Sequence, residues 1–466
     1  MKTVISGGMV ITAEGSRMAD VLIDGELIAG IGATSEFSNM TVDRVIDASG
    51  KWLIPGGIDV HTHMELPFGG TSAKDTFFTG TRAAAFGGTT TVVDFAVQSR
   101  GKSLREGLDA WHGKAEGHAA IDYGFHMIMS DVNDDTLKEM DTLVAEGIPD
   151  FKLFTAYPGV FFSDDGAIFR AMQQSGKNGG MIMMHAENGL AIDVIAGDTV
   201  AAGITDPIGH GLARYSGLEG EATHRVIRLA EAAKVPVYIV HLSAKEALKS
   251  VRMAREERLP VYAETCPQYL FLSIKDLGDG FNGSKFVCSP PLRSEDHQPE
   301  LWGGLVRDEL QVVATDHCPF DFHGQKELGR DDFRKIPNGL PGVEDRIDLL
   351  HDGGVVTGKI TKERWVEICS TAPARLFGMY PKKGVIAVGS DADIVMYDPA
   401  AKRVISAATH HMDVDYSCYE GRQVQGTSEI VLSRGSVIVE GGTFLGREGA
   451  GKFLRRDRAE YARREL

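Results

Sequence analysis

The sequence predicts an α/β protein, a (β/α)8 TIM-like barrel joined to a discontinuous β-sandwich that both chain ends build together. Three observations predict it. Eight apolar runs of strand length alternate with helix-like stretches through the middle of the chain. Short β-prone runs cut by turn residues occur at both ends, and five of the eight central runs finish in side chains able to hold a metal. Continuous apolar strands alternating with helices imply a parallel sheet covered on both faces. Eight such strands close into a barrel whose carboxyl ends converge on one mouth.

The N-terminal stretch reads TVISGGMVIT, ADVLIDGELIAGIGA and DRVIDASGKWLIPGG, short strands between turns. The same texture returns in GVIAVGSDADIVMYDP, KRVISAATH and EIVLSRGSVIVEGGTFLG. Neither set holds enough strands for a core of its own, so the two are expected to pair. This assigns residues 1–51 and 379–445 to the sandwich, 52–378 to the barrel and 446–466 to a C-terminal tail. The barrel runs lead into Asp59-Val60-His61 and then cover 89–96, 122–129, 150–157, 180–187, 235–243, 259–267 and 310–319. The tail, GKFLRRDRAEYARREL, carries five arginines after Phe453 and is expected to be solvated.

Composition narrows the function. The 55 glycines among 466 residues point to many tight turns and close backbone approaches. With 49 Lys and Arg against 65 Asp and Glu, the formal charge is -16, and no basic block is present to bind nucleic acid. No apolar run is long enough to span a bilayer, and the N-terminus lacks a signal peptide's apolar core, so a cytoplasmic protein without membrane contact is expected. Cys266, Cys288, Cys318, Cys369 and Cys418 are scattered and form no C-x-x-C pair, which argues for reduced, packed thiols.

His61 and His63 follow the first barrel run, Lys152 lies in the fourth, His185 ends the fifth, His241 the sixth and Asp316 the eighth. A barrel makes these distant residues neighbours at its mouth. His-x-His on an extended segment sends both imidazoles to one face, because side chains alternate with period two. Lys152 sits among Phe151, Leu153 and Phe154, where a lone ammonium is costly unless it is paired or neutralised.

The segments PGGIDVHTH, FKLFTAY, MMHAENG, YIVHLS, CSPPLR, TDHCPFD and IPNGLPGVEDR resemble motifs of cyclic amidohydrolases of the dihydropyrimidinase and hydantoinase group, within the amidohydrolase superfamily. The resemblance implies two zinc ions bridged by Lys152 carbamylated to N6-carboxylysine. His61, His63, Lys152 and Asp316 would hold one ion, and Lys152, His185 and His241 the other, a ligand set suited to zinc. It further implies water as nucleophile, with Asp316 taking its proton and passing it to the departing ring nitrogen. Tyr157 would donate to the developing oxyanion, while Ser289 and Asn338 would hold a cyclic ureide. Such proteins assemble as homotetramers or homodimers, with the tail lying across a neighbouring subunit.

Related dihydroorotases carry an arginine two residues after the second histidine, where this chain has Glu65; an acidic group there would repel a substrate carboxylate. Met64, Leu66 and Phe68, with Phe154 and Phe161, are expected to line an apolar recess. Such a recess favours 5-substituted hydantoins and dihydropyrimidines over the polar tail of allantoin, and the resemblance, closer to the D-selective branch than to the L-selective one, implies the D hand. Allantoinase is the alternative enzyme. A non-catalytic tetrameric scaffold of the same fold is a further alternative, opposed by the six filled ligand positions.

Overall fold

The computed structural model describes residues 1–33 and 35–459. Eight strands, Gly57–Thr62, Thr89–Val97, Asp122–Ile128, Asp150–Phe154, Met181–His185, Val237–Ile239, Val261–Thr265 and Val312–Val313, pair in parallel in chain order. The ring closes where His63 N donates to His317 O at 2.8 Å, beside a parallel bridge between Thr62 and His317. Every expected run contributes one strand. Their side chains are buried on both faces, which is why they read as unbroken apolar runs instead of alternating ones.

The intervening helices cover the sheet through apolar stripes. Leu104–Ala115 begins with a capping box between Ser103 and Glu106 and buries Leu104, Leu108, Trp111 and Ala115. Each large side chain so buried stabilises the barrel by about 1.5–3 kcal/mol before entropic losses. Trp111 also donates to Asp94 at 2.9 Å, and Asp94 in turn accepts from Thr62 and Met64 at 2.8 Å each. That packing fixes the turn just beyond the first strand.

The two chain ends do pair. One nine-stranded sheet joins them through Trp52–Pro55, which lies antiparallel to Ile394–Val404 and parallel to Lys2–Thr12. Ile5, Val21, Ile28 and Leu53 share an apolar core with Ile394, Met396 and Leu432. Lys2–Thr12 bulges between Ile5 and Gly8, and Gly7 takes φ 74° there, a value glycine adopts without steric cost. The first half of that strand pairs with Arg44–Asp47 and the second with Trp52–Pro55. Trp52–Pro55 therefore belongs to the terminal sheet, four residues past the boundary expected at 51/52.

The tail also departs from expectation. Phe453 forms a bridge with Tyr123 and stacks on Phe125 at 5.7 Å, and Arg456 is buried at the barrel base, donating to Phe125 O and Asp150. The part through residue 459 thus lies on its own barrel because its one buried arginine finds a carboxylate and carbonyls there. The remainder, 460–466 with Arg463 and Arg464, lies outside the described residues. Among the described residues, no helix is long and apolar enough to cross a membrane.

Candidate active site

The six sequence-predicted metal ligands converge at the mouth. His61 Nε2 lies 3.1 Å from Asp316 Oδ1 and 2.9 Å from Lys152 Nζ; His63 Nε2 lies 3.2 Å from Asp316 Oδ1; and His185 Nδ1 lies 3.0 Å from His241 Nε2. Ligand atoms of His61, His241 and Asp316 all fall within 4.8 Å of one another. Burial pushes His63 down to about 3, and holds His185 below and His241 well below the usual imidazole value. These rings are neutral at physiological pH and offer lone pairs.

The donor set fits a cation. His61 Nδ1 is engaged by Glu264, while its Nε2 meets a lysine nitrogen on one side and a carboxylate oxygen on the other. With Lys152 an ammonium, no protonation state of that imidazole satisfies both contacts, since a lone pair opposes the carboxylate and an N–H opposes the ammonium. A metal ion among these groups, with the lysine charge removed, resolves the conflict. Lys152 is 1% exposed and sits 4.2 Å from the Phe95 ring; burial lowers its ammonium to about 8.

Residues that sequence reading passed over hold this arrangement in place. Glu264 ends the seventh strand, and its carboxylate accepts from Tyr238 Oη at 2.9 Å and His241 N at 3.1 Å as well as from His61. Glu187 accepts from His185 Nε2 at 2.9 Å and from Arg214 at 2.7 Å, which turns His185 Nδ1 inward. Carboxylates of this kind orient metal-binding imidazoles. Asp59 accepts from Thr315 N and Oγ1 at 3.1 and 2.6 Å, fixing the residue before Asp316. Glu264 was detectable as one more strand-ending polar residue; the others needed three-dimensional contacts.

The backbone is strained at the chemistry. Tyr157, His241 and Asp316 take φ values of 60°, 39° and 53°, each at a cost of order 1–3 kcal/mol that the packed surroundings must offset. Residue type gives no warning of this.

Above the cluster lies a cavity of about 60 Å³ whose lining includes Leu66, Phe68, Phe154, Phe161, Tyr157, Ser289 and Asn338. Phe68, Tyr157 and Asn338 also border an outer cavity of about 790 Å³. Phe161 stacks on Phe154 at 4.9 Å and lies parallel to Phe68 at 6.3 Å, so the recess has an aromatic wall. Tyr157 is hydrogen bonded by Ser289 and Asn338, and burial lifts its phenol to about 12, keeping it a donor. Asn338 Nδ2 donates to Ser289 Oγ at 3.0 Å.

Two expectations at this rim need correction. Met64 is fully buried in the main core against Gly80, where a β-carbon would collide with its sulfur; it contributes nothing to the recess. Glu65 accepts from Phe77 N at 3.2 Å, at the start of the helix Phe77–Phe86. Helix N-termini attract carboxylates, so Glu65 caps a helix and does not face the cavity.

Neither the thiol nor the hydroxyl lining the cavity is an activated nucleophile. The Cys318 thiol in the cavity lining is held well above its ordinary pKa by burial, and thiolate is the reactive form. Ser289 Oγ lies 3.4 Å from His210 Nε2, but that nitrogen donates to Cys288 O at 2.8 Å and is no base. The neutral imidazoles, buried lysine and carboxylate at this mouth form the candidate metal centre of a hydrolase on a barrel scaffold.

Comparison with known proteins agrees. The Amidohydrolase family model matches residues 52–424, and the chain belongs to that family. It is 62% identical to a D-hydantoinase of Streptomyces coelicolor across 99% of both chains. A D-hydantoinase of Geobacillus stearothermophilus is 48% identical, across 98% of this chain and 97% of the relative. The crystal structure of dihydropyrimidinase from Brevibacillus agri superposes with a TM-score of 0.97 at 49% identity, covering 98% of this chain and 99% of that one.

Proposed function

We propose that this protein hydrolyses the ring amide of 5-substituted hydantoins and dihydropyrimidines to N-carbamoyl amino acids, with preference for the D hand. The observation that carries the reading is the chain-long similarity to proteins named D-hydantoinase, joined to a donor set that a bound cation would reconcile. His61, His63, Lys152 and Asp316 would hold one zinc ion, and Lys152, His185 and His241 a second. Lys152 would be carbamylated: its ammonium gives up one proton, the neutral amine attacks carbon dioxide, an N–C bond forms as one C=O π bond opens, a second proton leaves to solvent, and a buried cation becomes an anion. Bound zinc would supply a lowered water pKa and polarisation of the ring carbonyl.

The chain's own groups do the rest. In the metal-free chain burial raises the Asp316 carboxyl, but the contacts with His61 and His63 outweigh it and hold it well below the carboxylate range. It is therefore ionised and able to take the water's proton, then pass it to the ring nitrogen as the C–N bond breaks. Tyr157 Oη donates to the carbonyl oxygen as charge develops. Ser289 and Asn338 hold the ring, and Leu66, Phe68, Phe154 and Phe161 take the C5 substituent.

The test is hydrolysis by zinc-loaded protein, comparing kcat/KM for dihydrouracil with that for each enantiomer of 5-(4-hydroxyphenyl)hydantoin. Preference for the D-aryl hydantoin supports the aromatic recess. Turnover of allantoin alone, or of nothing with metal bound, would overturn the assignment in favour of an allantoinase or a scaffold.

The assembly proposed is a homotetramer or homodimer. Leu190, Val194, Leu212 and Tyr215 are exposed on or beside the adjoining helices Gly189–Ala201 and Ile208–Ala213, and grouped exposed apolar side chains mark association surfaces. Light scattering at two concentrations checks it. A cytoplasmic location fits five buried, unpaired cysteines.

A further inference from the structure

Lys326 is fully buried, yet among the described residues it has no carboxylate within ion-pairing distance. Its ammonium donates to three backbone carbonyls instead: Val287 O at 3.1 Å, Pro337 O at 2.7 Å and Gly339 O at 2.8 Å. An ammonium has three donors and no acceptor, so it matches these three oxygens completely. Burial lowers it to about 8, the mark of a charge kept in the interior without a counter-ion.

The three carbonyls are not scattered. Val287 precedes Ser289 by two residues, and Pro337 and Gly339 flank Asn338. The two loops are also joined by Gly339 N donating to Val287 O at 3.0 Å. Gly339 presses against the segment that follows the last barrel strand, where a β-carbon would collide with Cys318 O. Lys326 thus sits beneath the junction of the loops that carry Ser289 and Asn338, on the side away from the cavity, whose lining includes Ser289 and Asn338 but not Lys326.

We infer that Lys326 is a positioning residue for substrate binding, clamping the Ser289 and Asn338 loops into one rigid rim. The inference rests on the proposed ring-hydrolase reading. The Pro337 carbonyl shares a peptide unit with the Asn338 N–H, so the ammonium both fixes and polarises that amide, as hydrogen bonds in series do. No predicted metal ligand touches Lys326, so its effect belongs to ring binding and not to metal loading.

The experiment compares the wild type with Lys326→Met and Lys326→Gln, each full length and zinc-loaded, on D-5-(4-hydroxyphenyl)hydantoin. Lys326→Met is expected to raise KM at least about tenfold, as small misplacements of binding groups do. Its kcat should change far less, and zinc per chain should equal the wild-type value. Lys326→Gln keeps two of three donors and is expected to fall between. An unchanged KM in folded Lys326→Met, or a fall in kcat that tracks lost zinc at constant KM, overturns the inference alone. Failure of both variants to fold assigns Lys326 to folding only and overturns it too. A wild type inert on the hydantoin would overturn the ring-hydrolase reading, and this inference with it.

Discussion

The two ends of the barrel treat buried charge in opposite ways. At the base, Lys383 reaches Asp122 at 2.7 Å, Asp391 at 2.9 Å and Asp393 at 2.6 Å, while Arg456 and His126 share Asp150. At the mouth, Lys152 faces an imidazole and two phenyl rings, and Nδ1 of both His63 and His241 is buried without a partner among the described residues. At the base each buried cation meets a carboxylate of its own chain; at the mouth Lys152 meets an imidazole and phenyl rings. Buried charges that answer one another hold a fold together; buried lone pairs and charges that conflict await a ligand.

That contrast predicts different losses from the two ends. The largest concerns the mouth: Asp316→Asn should lower kcat by about 10²–10⁴-fold, the usual span for a proton-transferring group, while thermal unfolding of the metal-free protein changes little. Steady-state kinetics and calorimetry read both quantities. An active Asp316→Asn enzyme would remove Asp316 from proton transfer.

At the base the balance reverses. Lys383→Met removes the cation shared by Asp122, Asp391 and Asp393 and should cost about 3–5 kcal/mol of stability, with kcat retained at temperatures where the variant is folded. Burial alone would raise the Asp122 carboxyl, but Lys383 and Arg434 outweigh it and hold it below its ordinary value. A depressed folded pKa contributes stability above the unfolded value of about 3.9 that is lost as pH falls below it. Acid titration of the denaturation midpoint should therefore be steeper below that pH in the wild type than in Lys383→Met. Equal slopes would mean that the cluster is not what acid breaks.

A smaller effect separates donors from ligands within the mouth. Tyr157→Phe should lower kcat by about 10²–10³-fold, as loss of one oxyanion donor does, without altering zinc content. Because burial holds the phenol up to about 12, the wild-type profile should show no loss of this donor below about pH 11. An alkaline limb that disappears in Tyr157→Phe would contradict that.

How much of this was legible beforehand follows from the same contrast. The eight strands were readable because both their faces are buried, leaving runs such as TTTVVDFA unbroken. His61, His185, His241 and Asp316 were readable because a barrel places strand ends together, whatever their separation in sequence. Trp52–Pro55 misled because an apolar tetrapeptide fits a barrel strand and an edge of the terminal sheet equally well. Met64 follows the alternation that puts His61 and His63 on one face and so falls on the other, and φ 53° at Glu65 then turns the chain out of that alternation. The tail misled because Arg456 looks like a solvated arginine until Asp150 is brought beside it. Arg214 and Lys326 act through partners well separated in sequence, which residue spacing does not encode, whereas Glu187 stands two residues from His185 and its role shows only in which ring nitrogen it meets.

The central claim is that Lys152 is the residue through which the mouth is completed. The direct measurement is zinc per chain by elemental analysis, together with ¹³C NMR after equilibration with ¹³CO₂, on the wild type and Lys152→Met. The account predicts two zinc ions and one carbamate resonance in the wild type, and loss of the resonance and of activity in Lys152→Met. It also predicts that metal-free Lys152→Met is more stable than the metal-free wild type, since an unpaired buried ammonium has been removed. A fully active wild type with no carbamate signal, or a Lys152→Met protein that keeps both zinc ions and activity, would contradict it.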